Sequence, residues 1–375
     1  MNIAVNTRFL LKDQMEGYGY FIREVFTRLA AAHPEHRFYF LFDRPVSNGP
    51  RFPQNVETVV IGPPARHPLL WKYWYDVKIP RALKKIGAAV FVSPDGICSL
   101  RTRVPQCLVV HDIGIIHHPK DYRRSHYLFY REFLPKFLRK AKAVATVSEF
   151  SKNDLLKTYH IDAAKLSVVF SAVKENFKPF DYTSQQEVKI RWTEGKEYFI
   201  YVGAIHPRKN LVNLLKAFSV FKKRLQSNMK LVLVGRMTWK NNGFVSSLKN
   251  YKYRADVVLT DYVSEQDVAA LVASAYALVY PSSYEGFGVP VLEALQSGVP
   301  ALTSKHSSME EIAGDAALYF DPRDHQDIAE QMMLIYKDED LRRKQIEKGK
   351  EASRHYSWER TAGLLWESII EASNG

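Results

Sequence analysis

Apolar residues fall into two series of short runs, separated by longer stretches with helical spacing. The first series reads "MNIAVN", "RFYFLF", "VETVVI", "AAVFV", "QCLVVH", "AVATVS" and "LSVVF". These runs are rich in Val, Ile and Phe and predict buried strands. Among them, "YGYFIREVFTRLAAA" and "SHYLFYREFLPKFLRKA" place apolar residues three and four apart, as amphipathic helices do. After residue 170 the pattern loosens through "KENFKPFDYTSQQEVKIRWTEGKE", polar and without period, which predicts a linker. A second series follows: "YFIYVG", "MKLVLVG", "DVVLT", "YALVYP", "VPALTS" and "AALYF", again with helical stretches between. Strands alternating with helices imply a parallel sheet covered on both faces. The expected architecture is α/β, with two doubly wound domains over residues 1–178 and 197–355 and a linker over 179–196. The amphipathic end, "YSWERTAGLLWESIIEA" within 356–375, is expected to form a helix that packs back on the first domain.

Composition narrows the class. A chain of 375 residues exceeds one ordinary core and suits two domains. Apolar and charged fractions of 46% and 25% are those of a folded soluble protein. No apolar run is long enough to span a bilayer, and "MNIAVNTRFLL" lacks the parts of a secretory signal. The expected location is the cytoplasm. Cys98 and Cys107 have no metal-ligand or redox spacing and read as reduced, half-buried thiols. The net charge of +13 lies entirely in residues 1–180, where 28 basic residues face 15 acidic ones; the remainder balances at 25 and 25. Such a field favours a lipid headgroup surface, a phosphorylated acceptor or nucleic acid, unless it is simply a solvated surface.

Ligands of open α/β sheets bind beyond the carboxyl ends of the strands, so the polar residues there carry the candidate chemistry. "YVGAIHPRKN" ends a strand at Gly203 and delivers Arg208 and Lys209 where a helix begins near Asn210. Two cations beside helix N–H groups suit an anion. "LVLVGR" repeats the arrangement with Gly235 and Arg236. "YPSSYEGFGVP" does so again, with Gly286 and Gly288 beside Glu285, and Pro290 where a first helical turn tolerates it. A carboxylate near the start of a helix, here Glu293, can accept two hydrogen bonds from a ribose diol. Glu285 could accept hydroxyls of a second sugar while Lys209 neutralises the phosphates between them.

These residues resemble glycosyltransferase family 4, retaining enzymes of the GT-B fold with two Rossmann-like domains facing across a cleft. The likeness covers nearly the whole chain. It is most specific in "GAIHPRKNLVNLLKAF", "YVSEQDVAALVASAYALVYPSSYEGFGVPVLEALQSGVPALTS" and "EEIAGDAALYFDP". It implies that Glu285 lies near the donor sugar, Glu293 near the ribose, and Lys209 with Arg208 at the diphosphate. Tyr262, Gly286, Phe287 and Gly288 fall in the same donor-binding blocks. Some members carry arginine directly after the glycine of this loop; here that position is Ala204, and Arg208 would substitute. "MEGYGYF" resembles the family's glycine loop, with Gly17 and Gly19 facing the donor phosphates. "LVVHDIG" places His111 near the anomeric centre and the acceptor. "TVSEFSKNDL" resembles a family stretch in which Ser148 and Ser151 can equally be helix N-caps. The resemblance further implies same-face attack by the acceptor hydroxyl, with a diphosphate oxygen taking its proton. It implies no metal and no cofactor, the nucleotide sugar being a co-substrate. Related members use GDP-mannose or UDP-sugars, and no residue here decides between purine and pyrimidine; the "HPRKN" block looks closest to mannosyltransferases, which leans towards GDP-mannose.

Other readings fit less of the chain. A metal-dependent transferase of the other major fold would use Asp-x-Asp, and "DED" at 338–340 lies in a polar helical stretch. A nicotinamide dehydrogenase needs a third glycine that "MEGYGYF" lacks. A non-catalytic binder of anionic polymer explains the charge but not the strand-end sites, and a sugar-nucleotide epimerase of related fold would turn over donor without acceptor. Finally, "RHPLLWKYWYDVKIPRALKK" at 66–85 mixes Trp71, Tyr73, Trp74 and Tyr75 with Lys72, Lys78 and Arg81. Rings with basic neighbours suit a membrane interface, unless this is an ordinary domain helix with its aromatics buried and its lysines solvated. The expectation is docking on the cytoplasmic leaflet, towards a glycan or lipid-linked acceptor.

Overall fold

The computed structural model describes residues 1–10, 17–45, 51–237 and 242–374. The chain divides into two compact units, Met1–Ser171 with Ser357–Gly375, and Ala172–Tyr356. In the first unit the described strands are β1 (Asn2–Asn6), β2 (Arg37–Phe42), β3 (Val56–Val60), β4 (Val90–Ser93), β5 (Gln106–Val109), β6 (Ala143–Thr146) and β7 (Leu166–Val168). They pair in parallel in the order β3-β2-β1-β4-β5-β6-β7. The second unit carries β8 (Tyr198–Val202), β9 (Lys230–Val234), β10 (Val257–Asp261), β11 (Ala277–Tyr280), β12 (Ala301–Ser304) and β13 (Ala317–Phe320). These are also parallel, in the order β10-β9-β8-β11-β12-β13. Every strand core of the two expected series is therefore present. Central strands such as β4, β5, β8, β9 and β11 are almost entirely buried, as parallel sheets covered by helices require. Strand order reverses between β1 and β4 in one sheet and between β8 and β11 in the other. The crevices beyond those pairs are where such sheets hold ligands.

Several expectations change. The stretch 179–196 is not an unstructured linker: Tyr182–Thr193 is a helix of the second unit, and the units divide at Ser171/Ala172. Capping and polar contacts stabilise this helix more than an apolar stripe does, so periodicity does not reveal it. Asp181 accepts from the Ser184 N–H at 2.8 Å, and buried Lys189 pairs with Glu197 at 2.6 Å, while Ile190 stays exposed. In the segment 66–85, Trp71, Trp74 and Tyr75 are core residues, not interface rings. Indole N–H groups of Trp71 and Trp74 donate to the Ala65 and Ile61 carbonyls at 2.7 and 2.6 Å. Cys98 and Cys107 are fully buried rather than half-buried, and burial pushes the Cys107 thiol up to about 12. Asp338 of "DED" caps the helix Glu339–Ser353, accepting from the Leu341 N–H at 2.8 Å.

The C-terminal helix Trp358–Asn374 belongs to the first unit and packs on the helix Gly17–Ala32 and on β4, β5 and β6. His33 stacks on Trp366 with centroids 3.7 Å apart, and Arg28 pairs with Glu359 at 2.7 Å. Among the described residues, no helix is long and apolar enough to cross a membrane.

Candidate nucleotide-sugar site

In the second unit the chain leaves β8 at Gly203, forms a short turn Pro207–Lys209, and starts the helix Leu211–Leu225. His206 accepts from the Arg208 N–H at 3.3 Å, and Asn210 takes the left-handed conformation at φ 61°. No side chain caps the helix that follows, and the Asn213 N–H turns back to the Asn210 carbonyl at 3.1 Å. Gly203 and Gly235 meet backbone to backbone. A Cβ on Gly235 would fall 2.2 Å from the Gly203 carbonyl oxygen, which makes glycine obligatory there. The loop after β11 carries Glu285, Gly286, Phe287 and Gly288 into the helix Val289–Gln296, all four buried. Gly288 sits at φ 104°, where a Cβ would lie 2.7 Å from Met309. Ser308 Oγ lies 2.9 Å from the carbonyls of both Glu285 and Phe287, pinning the loop.

Around Glu285 the expected charges converge. Lys209 Nζ donates to the Glu285 carboxylate and, at 2.7 Å, to the Tyr280 hydroxyl. Arg208 lies 3.3 Å from the other carboxylate oxygen and donates to the Tyr284 carbonyl. Ser282 donates to the same carboxylate. Burial alone would raise the Glu285 carboxyl, but Arg208, Lys209 and Ser282 outweigh it and hold it near about 2. Tyr201 and Tyr280 stack at 5.7 Å beneath this cluster.

Glu293 is the opposite case. It sits on the helix Val289–Gln296, equally buried, and among the described residues its carboxylate accepts no hydrogen bond. Burial pushes its carboxyl up to about 7; Lys174 opposes the shift and Glu265 adds to it. Lys174 and Glu265 pair with each other at 3.3 Å. Tyr262 does not join this group. It follows β10, the edge strand, and is 78% exposed.

In the first unit His111 follows β5. Its Nε2 lies 3.1 Å from the Pro94 carbonyl. A carbonyl only accepts, so Nε2 carries the hydrogen and Nδ1 is left as an acceptor. Tyr18 and Phe21 meet the ring edge-on at 4.6 and 4.8 Å. Burial lowers the imidazole to about 4, against the raising effects of Asp112, the Pro94 carbonyl and Asp95. The ring is neutral at ordinary pH. Gly17 and Gly19 lie within the first turn of the helix Gly17–Ala32 rather than in a loop, and Met15 and Glu16 of that motif lie outside the described residues. Ser148 is the N-cap of the helix Glu149–Tyr159, accepting from the Ser151 N–H at 3.0 Å, and Ser151 Oγ donates to the His111 carbonyl at 3.2 Å.

Sequence reasoning missed the residues that orient these groups. At the β1/β4 crevice, Arg8 Nε donates to Asp95 at 2.7 Å, and the Tyr75 hydroxyl lies 2.8 Å from both Asp95 oxygens. Ser93 Oγ and the Ile97 N–H complete the shell at 3.2 and 3.3 Å. The network fixes the backbone on both sides of Pro94, the residue that orients His111. "VNTRF" and "SPDG", directly after two predicted strands, were its visible traces. Nothing in the chain's periodicity marks Tyr280, Ser282 or Ser308 as site residues.

Two parallel sheets with reversal points, and acids, cations and close glycines beyond the second, are the features of the GT-B fold. Sucrose-phosphate synthase from Thermosynechococcus elongatus shares that fold, with a TM-score of 0.80 over 98% of this chain and 99% of that one at 16% identity. Residues 183–352 match the glycosyl transferases group 1 and residues 15–176 match Glycosyltransferase Family 4. The O-antigen chain mannosyltransferase B of Escherichia coli is 30% identical over 257 residues, 66% of each chain. The O-antigen chain mannosyltransferase RfbU of Salmonella typhimurium is 30% identical over 264 residues, 68% of each chain. The aligned stretches thus span about two thirds of these relatives. The chain belongs to the group 1 glycosyl transferases, glycosyltransferase family 4.

Proposed function

We propose that the protein is a retaining transferase that moves a hexose from a nucleotide-diphosphate sugar to a hydroxyl of a glycan or lipid-linked acceptor. The donor is GDP-mannose, and the setting is surface polysaccharide or glycolipid synthesis at the inner face of the cell membrane. The observation that carries this reading is the pair of buried carboxylates, Glu285 clasped by two cations and Glu293 without a hydrogen-bond donor. A buried, unpartnered carboxylate is costly, and a ribose diol offers it two donors. Lys209 and Arg208 supply positive charge for the diphosphate as it departs, which supports a reaction without a divalent metal. The two relatives named as mannosyltransferases support the sugar.

In the proposed reaction the acceptor oxygen bonds to the anomeric carbon as the bond from that carbon to the β-phosphate oxygen breaks. The acceptor proton passes to an oxygen of the leaving diphosphate. Neutral His111 contributes a hydrogen-bond acceptor, Nδ1, to a sugar hydroxyl near the reacting carbon.

Thermal melting with GDP, UDP and ADP and their sugars tests the reading. The expected outcome is a raised midpoint with guanosine ligands, corresponding to about 2.7 kcal/mol at 100 times the dissociation constant. No shift with any nucleotide overturns it. Donor turnover should persist in EDTA; a strict Mn²⁺ or Mg²⁺ requirement removes the metal-independent mechanism, and turnover without any acceptor points to an epimerase.

A further inference from the structure

The segment 66–85 was expected to meet a membrane through its aromatic rings, and three of them, Trp71, Trp74 and Tyr75, are core. Its other side has no such use. The chain runs through the helix Pro68–Tyr73, a wider turn Trp74–Lys78 and the helix Ile79–Ile86. Pro68, Trp71, Trp74, Tyr75, Ile79 and Leu83 face inward and are buried. Leu69, Leu70 and Tyr73 are 76%, 38% and 41% exposed, which is unusual for three apolar side chains within five residues. Arg81, Lys84 and Lys85 follow on the same outward side and are exposed, with no acidic group within ion-pair distance among the described residues. Lys72, by contrast, is already paired with Asp76.

We propose that this outward face is an interfacial surface that binds an anionic phospholipid bilayer. Leu69, Leu70 and Tyr73 would enter the headgroup–acyl boundary, and Arg81, Lys84 and Lys85 would meet lipid phosphates. An amphipathic helix lying in the interface needs both halves: apolar residues give buried area and cations give attraction to anionic lipid. Charge decides the occupant. A second copy of this chain would bring the same three cations and the same basic half, 28 basic residues against 15 acidic ones, towards itself. An anionic leaflet complements that half. The inference extends the membrane-side reading of the transferase, and its test requires no turnover, so its failure leaves the transferase assignment standing.

The experiment is co-sedimentation of the full chain with vesicles of phosphatidylcholine alone and of phosphatidylcholine mixed with phosphatidylglycerol. Binding should appear with the anionic vesicles and fall as salt rises. The pairs Leu69→Ser with Leu70→Ser and Lys84→Glu with Lys85→Glu should each weaken it by roughly tenfold or more. Lys344→Glu, on the exposed side of a helix in the second unit, should leave it unchanged. All these positions are exposed, and circular dichroism with melting midpoints checks that each variant folds. Equal recovery from both vesicle types overturns the proposal. So does anionic-vesicle binding that survives both double variants. Self-association lost in those variants, without vesicle binding, would assign the face to a second copy instead.

Discussion

The two sheets place like charges at the same topological point and use them differently. Beyond β1 comes Arg8 and beyond β4 comes Asp95; beyond β8 comes Lys209 and beyond β11 comes Glu285. Each cation holds its acid across the point where strand order reverses. Arg8 and Asp95 are sealed, with side chains 4% and 1% exposed and the guanidinium packed against the rings of Phe9, Trp71 and Tyr75 at 4.7, 5.5 and 5.6 Å. Asp95 is saturated by Tyr75, Ser93 and the Ile97 N–H. Lys209 and Glu285 retain 12% and 11% exposure, and eight residues on Glu293 has a carboxylate that accepts no hydrogen bond among the described residues. An ion pair that is fully satisfied and covered is a brace. One that is left partly exposed at the edge of a loop can exchange partners with an anionic ligand.

Removing the two cations should separate these roles most strongly. Arg8→Ala leaves Asp95 buried and uncompensated and should cost about 3–5 kcal/mol of stability, read from denaturant midpoints. Lys209→Ala should cost less stability, because Arg208, Ser282 and Tyr280 still hold Glu285. Its donor kcat/KM should fall by roughly 10–100-fold through loss of a charge-assisted contact of about 1.5–3 kcal/mol. A Lys209→Ala protein with normal donor kinetics would break the comparison.

A second test sharpens the contrast between the two glutamates, which share one degree of burial. The Glu293 carboxyl is raised in the folded chain from an ordinary 4.5 to about 7. Its protonated form is thus favoured on folding, and stability is lost as pH rises through that window. Glu293→Gln should therefore stabilise the ligand-free protein at pH 8, by on the order of 2–3 kcal/mol, and do little at pH 4. Glu285 is depressed towards about 2, so its contribution is present above pH 4.5 and lost as pH falls. Glu285→Gln should destabilise at pH 7, with the penalty fading in acid. Parallel pH curves for the two variants would show that burial alone governs both.

Binding gives a smaller effect. Glu293→Gln should weaken the bare nucleotide diphosphate by about tenfold, one charged hydrogen bond's worth, because the ribose is present in that ligand. Glu285→Gln should spare the bare diphosphate and reduce turnover of the nucleotide sugar. Isothermal titration with both ligands separates the two; equal losses for the bare diphosphate would remove the division. Smallest in energy is the ring of His111. Nuclear magnetic resonance should find it neutral and protonated at Nε2 throughout pH 6–8, with a midpoint near about 4. A midpoint near 6.5 would show that burial does not govern the ring.

How much could be read from the linear chain depends on the kind of interaction. Short apolar runs rich in Val, Ile and Phe and helical spacing along 18–32 and 125–141 determined the strands, their alternation with helices and the two-sheet class, because burial on both faces of a parallel sheet leaves a direct mark on residue type. Arg208, Lys209, Glu285, Gly288 and Glu293 were legible for a related reason: strand ends followed by glycine and charge are local patterns. The helix Tyr182–Thr193 escaped notice because caps and single ion pairs stabilise it, and these have no period. The aromatic segment 66–85 was legible as amphipathic but not as to which side is buried; only packing showed that Trp71, Trp74 and Tyr75 point inward and Leu69, Leu70 and Tyr73 outward. Tertiary structure alone also decided that Asp95 is locked by Arg8, 87 residues away in the chain, and that two glutamates eight residues apart ionise in opposite directions. Sequence specifies which groups carry charge. Only folding determines which counter-charges lie within a few ångströms of them, and at that range Coulomb attraction and desolvation are large enough to decide the outcome.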